Sequence, residues 1–301
     1  MIKTIEEIRT YATVGPNIYF ENLEPYFKTT EQHKLINLIG AEEIKVLKNY
    51  SGDDEIINKV KSDLKGFIVN HGLLSAQPYL QNQIGNNGMT PDADRKWWQE
   101  KDLQRHLLKT ATDFLNSALI EMYRSLDLFP SFRNSKEFSG NKLIIKSAVD
   151  FCEFHALNNS YLTFQTLIPT IKYVQDALFV NKDMRGFKNW ILNPETDKQK
   201  EAVEIVKAII VHKVVSEIIT SNAYYFDGVG FGYKIEVLPW EKNETPDIKK
   251  LEKIIENQAE KVNVYNVLFW DFIKQNRSEF MAEETKYPSA FFTTGSSFNL
   301  V

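Results

Sequence analysis

Cys152 and His155 are the one place in the chain where a sulfur and an imidazole fall three residues apart on a predicted helix. That spacing turns both side chains toward one side, as a thiolate–imidazole nucleophile or half of a metal site requires. Either chemistry needs further partners, and the neighbouring Glu153 falls on another face, so Cys152 reads as a small core residue. His33, His71, His106 and His212 stand singly. There is no His-Glu-x-x-His run, no Gly-x-Ser-x-Gly elbow and no Gly-x-x-x-x-Gly-Lys-Ser/Thr loop. Gly228-Val229-Gly230-Phe231-Gly232 lacks the strand-before, helix-after setting and the glycine spacing of a phosphate loop, and reads as flexibility for a hairpin. Glu42-Glu43, Asp53-Asp54-Glu55 and Glu283-Glu284 complement helix N-termini or solvate the surface. The expectation is a protein that is not an enzyme, with no catalytic, metal or cofactor-binding residues and no cofactor.

Recognition is the other chemistry on offer. Trp97 and Trp98 are adjacent, and successive side chains on a helix diverge by about 100°, so one packs inward and the other meets a second element or another subunit. Aromatic residues make up 13% of the chain, with 20 Phe and 13 Tyr. Most belong in cores, but those in segments without a period favour interfaces. The subunit-interface candidates are therefore Trp97 and Trp98, then Tyr224, Tyr225, Phe226, Phe231 and Tyr233 of a Gly-punctuated segment, and Phe291, Phe292 and Phe298 near the C-terminus.

The elements that position these residues come in two related sets. Phe20-Glu21-Asn22-Leu23-Glu24-Pro25 matches Phe164-Gln165-Thr166-Leu167-Ile168-Pro169, and the run from Lys3 to Tyr11 parallels Lys146 to Phe154. In both runs Thr4 or Ser147 caps a short helix with an acidic residue in its first turn. Long helical patterns begin near Asp54 and Asp197, carrying Ile57, Val60, Leu64 and Ile68 in one and Val203, Val206, Ile210 and Val214 in the other. Thr90-Pro91-Asp92 and Thr245-Pro246-Asp247 each read as an N-cap followed by proline at the first helical position, opening helices over roughly 91–126 and 246–280. Four landmarks in one order, offset by about 144 to 155 residues, indicate a tandem duplication.

The fold class expected is mainly α: two tandem duplicated helical-bundle units with a small β-hairpin insertion in the second. The first unit spans 1–131, a polar linker 132–142, and the second unit 143–281 with its hairpin near 224–238; 282–301 form an extended C-terminal arm. The first copy has only the shorter Gln83–Met89 in place of the hairpin, read as a tight turn.

The whole chain sets outer bounds. Its 301 residues suit two domains, and its 43% hydrophobic share supports a core in each. A net charge of -4 argues against a nucleic-acid-binding protein. One cysteine permits no intrachain disulfide and suits a reducing cytoplasm. The N-terminus is too charged for a secretory signal. The most apolar stretch, Ala202 to Ile219, is broken by Glu204, Lys207, His212, Lys213 and Glu217 and reads as a buried helix, not a membrane span.

Asn141 to Phe151, then Ser160-Tyr161-Leu162-Thr163-Phe164, Leu167-Ile168-Pro169 and Ile171 to Asp176, resemble an uncharacterised family from phages and prophages of Bacteroidetes. The resemblance covers most of 141–280 and its motifs are packing motifs. It implies a virion structural protein, made in the bacterial cytoplasm and similar to the helical head–tail connector (neck adaptor) proteins of tailed phages. Such proteins form an oligomeric ring beneath the portal. The partners implied are further copies of the chain, the portal, and tail or neck proteins, with no membrane and no specific nucleic acid, although DNA passes through a ring lumen. The alternatives are a cytoplasmic scaffold or regulatory protein of a mobile element, and a small-molecule binder at the cleft between the repeats.

Overall fold

In the computed structural model the chain is mainly helical. The structure describes residues 1–14, 18–80, 82–85, 88–91, 97–135, 138, 143–157, 160–180, 182–219, 224–226, 231–233 and 248–280. These fall into two compact units, residues up to Phe138 belonging, with the exception of no described residue, to the first and those from Leu143 to the second. No helix among the described residues is long and apolar enough to cross a membrane.

The first unit runs α1 (Ile5–Tyr11), α2 (Phe20–Thr30), a π-helical turn (Glu31–Leu35), α3 (Ile36–Ile39), α4 (Ala41–Asn49) and α5 (Glu55–Leu80). Strands β1 (Asn82–Gly85) and β2 (Gly88–Pro91) follow, then α6 (Trp97–Arg124), a 3-10 turn (Leu126–Leu128) and α7 (Pro130–Arg133). Thr4 caps α1 by accepting from the Glu7 N–H at 3.2 Å. The Glu7 carboxylate in turn accepts from the Lys3 N–H and the Lys65 ammonium, each at 2.6 Å, which ties α1 to α5. Gly40, with φ 86°, holds the turn between α3 and α4 in a conformation that suits glycine. Helices α5 and α6 run antiparallel, for Lys59 meets Glu121, Asp63 meets Ser117 and Gly66 lies against Phe114. The missing side chain at Gly66 lets that ring approach the α5 backbone.

Three expectations change here. Thr90 and Pro91 do not start a helix: β1 and β2 pair antiparallel with Gln83 opposite Thr90, and α6 begins at Trp97. The ladder takes up the backbone of Gln83–Gly85 and Gly88–Met89, where a tight turn was expected. The polar linker from 132 also begins too early. Phe129, Phe132 and Phe138 are buried, and Tyr123, Phe132 and Phe138 form a ring cluster with centroids 5.2 to 5.6 Å apart. Burying a Phe side chain stabilises by about 1.5–3 kcal/mol, which outweighs the polar neighbours Arg133 to Ser135.

The second unit runs α8 (Ala148–Cys152), α9 (Tyr161–Val180), α10 (Lys182–Arg185), α11 (Lys188–Leu192) and α12 (Asp197–Ile219). Strands β3 (Tyr224–Phe226) and β4 (Phe231–Tyr233) follow, paired antiparallel, then α13 (Ile248–Gln275) and α14 (Arg277–Phe280). Ser147 caps α8 by accepting from the Asp150 N–H at 3.1 Å. Asp150 accepts from the Lys146 N–H at 2.9 Å, and Lys207 of α12 lies 3.7 Å from the same carboxylate. A capping box opens α12: the Gln199 N–H donates to Thr196 Oγ1, and Gln199 Oε1 accepts from the Glu195 and Thr196 N–H groups. Five consecutive residues of α12, Ala208 to His212, are buried, so the middle of this helix is covered on every side. The last long helix, expected over 246–280, ends at Gln275, and Arg277–Phe280 turn away as α14 to seat Phe280 against Trp190.

Candidate functional site

Several polar side chains inside each unit are held in structural pairings. Glu43 of α4 is 1% exposed and accepts from the Phe132 N–H at 2.8 Å, so it caps α7. Burial pushes its carboxyl above the ordinary value despite that bond, and its Oε1 has no hydrogen-bond partner among the described residues. Glu31, in the π turn, accepts from the Met1 ammonium at 2.6 Å and from Lys48. Burial alone would raise its carboxyl, but these two cations hold it below the ordinary value.

The histidines separate in the same way. His71 of α5 lies 3.2 Å from the Thr30 hydroxyl, and burial, helped by Lys34, lowers its pKa to about 4. His212 of α12 is 2% exposed, with Nδ1 2.8 Å from Gln258 Oε1 and its ring stacked on Tyr265 at 5.6 Å. A neutral ring with its proton on Nδ1 donates to that carbonyl. Burial, then the charges of His212 and Lys261, lowers His155 to about 4. Helix α8 stops at Cys152, so His155 lies beyond it rather than one turn along it. Cys152 is half-buried rather than in the core, and its Sγ accepts from the Leu157 N–H at 3.4 Å. Among the described residues no group of three or more His, Cys, Asp or Glu side chains is placed to hold a metal ion.

What the described surface does present is uncovered apolar side chains at helical spacing. On α9, Tyr173 is 64% exposed and Val180 69%. On α13, Val264, Val267 and Leu268 are 53%, 60% and 48% exposed and form one patch, since residues three and four apart are neighbours on a helix. The buried face of α13, Gln258, Val262, Phe269 and Ile273, lies on the opposite side. The helix thus has two apolar faces and covers one.

The first unit shows that the second face is no general property of such a helix. Helices α6 and α13 each have 28 residues. Counted from their first residues, Leu107, Ala111, Ala118 and Met122 occupy the places of Gln258, Val262, Phe269 and Ile273, and all eight are buried. The places of Val264, Val267 and Leu268 are taken on α6 by Asp113, Asn116 and Ser117. Ser117 donates to Asp63 at 2.7 Å there.

The expected interface residues are distributed as follows. Trp98 is 47% exposed on the first turn of α6. Trp97 opens that helix, but its side chain lies outside the described set. Tyr224, Tyr225 and Phe226 pair through their backbones with Tyr233, Gly232 and Phe231. Phe291, Phe292 and Phe298, with the whole of 282–301, lie outside the described residues, as does most of 227–238. The α13 patch was missed. Its signal was present in the sequence, but the core series on the same helix overlaid it. No protein-family model, curated protein or solved structure matches this chain.

Proposed function

We propose that the chain is a structural subunit of a phage virion, a head–tail connector or neck adaptor that assembles as a ring beneath the portal. The observation that carries this reading is the uncovered apolar patch Val264, Val267 and Leu268 on a well-packed helix. Exposed apolar surface gathered on one element marks a place where another surface sits. Ring neighbours meet heterologously, so different patches of one subunit must complement each other around the circle. The segment 224–238 and the arm 282–301, with their aromatic residues, are the proposed ring contacts.

A tandem duplication underlies this subunit in our reading, with the segment after Ile219 as a hairpin insertion in the second copy. Equivalent details support it. Thr4 and Ser147 cap the first helices, and Lys3 and Lys146 donate their N–H groups to Glu7 and Asp150. Both carboxylates meet a lysine of the long central helix, Lys65 and Lys207. Leu23 and Phe27 are buried beside the helical Pro25, as Leu167 and Ile171 are beside Pro169.

Immunogold labelling of phage particles with antibody against this chain tests the function. Label at the vertex where head joins tail is the expected result. Unlabelled particles, with the epitope demonstrated on denatured virions, would remove the connector reading and favour a cytoplasmic scaffold.

A further inference from the structure

The uncovered face of α13 continues beyond its apolar patch in a regular way. Asn257, Lys261, Val264, Leu268, Asp271 and Gln275 follow one another by alternating steps of four and three residues, and all six are exposed. This is the spacing of a coiled-coil seam. Its two apolar positions sit at the centre, a charged position flanks them on each side, and an amide lies at each end. Neither Lys261 nor Asp271 forms a salt bridge among the described residues.

We propose that this face of α13 binds the same face of a second copy of the chain, antiparallel, about a two-fold axis passing residue 266. In that register Val264 meets Leu268 of the other copy and Leu268 meets its Val264. Lys261 meets Asp271, twice by symmetry, and Asn257 meets Gln275. Val267 lies beside its own counterpart at the edge, and Glu260 falls opposite Lys274. Every exposed position of the seam finds a partner of matching chemistry, which is what a self-complementary contact must provide. In the reversed, parallel arrangement Lys261 would face Lys261 and Asp271 would face Asp271, which is repulsive at both levels. A one-heptad slip of the antiparallel pair would bring Asp271 opposite Leu268 or Lys261 opposite Val264, so the charges also fix the register.

The inference does not rest on the connector reading. If that reading holds, the pair forms in the unassembled chain and yields this face to other contacts on assembly, because a ring between head and tail is polar along its axis and has no two-fold across it.

The test is analytical ultracentrifugation of the full chain from about 1 to 100 µM, spanning the range of moderate affinities. A monomer–dimer equilibrium is expected. Lys261→Asp places like charges together twice and should weaken association about tenfold or more, while Lys261→Asp with Asp271→Lys restores it to within about threefold. Leu268→Asp should abolish the dimer over the same range. All three positions are exposed, and circular dichroism should show each variant with unchanged helix content. A wild-type chain that stays monomeric overturns the proposal; if removal of 282–301 then permits dimers, the arm covers the face instead. A dimer indifferent to Lys261→Asp and Leu268→Asp, or a Lys261→Asp defect that Asp271→Lys does not repair, overturns it equally.

Discussion

Glu43 is buried and His71 half-buried, and their effects on stability run in opposite directions. The Glu43 carboxyl is raised on folding, so its stabilising contribution is complete below its ordinary value of 4.5 and is lost as pH rises through the folded value. The His71 imidazole is lowered from 6.5 to about 4, so the folded state binds fewer protons than the unfolded one. Its contribution is complete above 6.5 and is lost as pH falls toward 4. Glu43→Gln keeps an acceptor for the Phe132 N–H without the charge, and should gain stability relative to the wild type as pH rises. His71→Gln keeps a polar partner for Thr30, and should lose less stability than the wild type between pH 6.5 and 4. Urea unfolding of the three proteins at pH 4, 5.5, 7 and 8 checks both signs, and parallel curves would refute the assignment.

At the scale of elements, the sequence was most readable where local chemistry decides the outcome. Thr4 and Ser147 announce their helices because a hydroxyl before an acidic first turn satisfies backbone donors that have no other partner. Thr90-Pro91 carries a similar signal and fails, since pairing with Asn82 and Gln83 takes the same residues into a ladder. The α13 patch is hidden in the sequence for a related reason: the buried Val262, Phe269 and Ile273 and the exposed Val264, Val267 and Leu268 both recur at helical spacing. Only burial separates the two series. The polar run after Phe132 misled because composition averages over residues, whereas Phe132 and Phe138 act singly in the core. Close helix packing was not announced at all. A Cβ placed on Gly66 would stand 2.7 Å from the Phe114 ring, so the half-buried ring would have to shift. Alanine would gain about 0.5–1 kcal/mol of helix propensity but cost about 1–3 kcal/mol in overpacking. Gly66→Ala should therefore destabilise by up to about 2.5 kcal/mol net, read from urea unfolding. A stabilised variant would show that α6 yields easily there.

At the scale of the whole molecule, each unit has buried side chains enough for its own core. Leu64, Phe67 and Ile68 lie among those of the first, and Val206, Ile210 and Val214 among those of the second. Each also carries its own helix caps and its own lysine–carboxylate tie between the first short helix and the long central one. Stability generated locally in this way should be lost locally. Leu64→Ala removes a side chain that is 0% exposed and should cost about 2–5 kcal/mol. Hydrogen exchange followed peptide by peptide should then show faster opening across α2, α5 and α6, with protection in α9, α12 and α13 close to that of the wild type. Val206→Ala, at the corresponding depth of α12, should give the mirror result with a smaller change, since it removes fewer carbon atoms. If either substitution accelerates exchange equally in both sets of helices, the two units share one cooperative transition. The chain would then behave as a single folding unit despite its two cores.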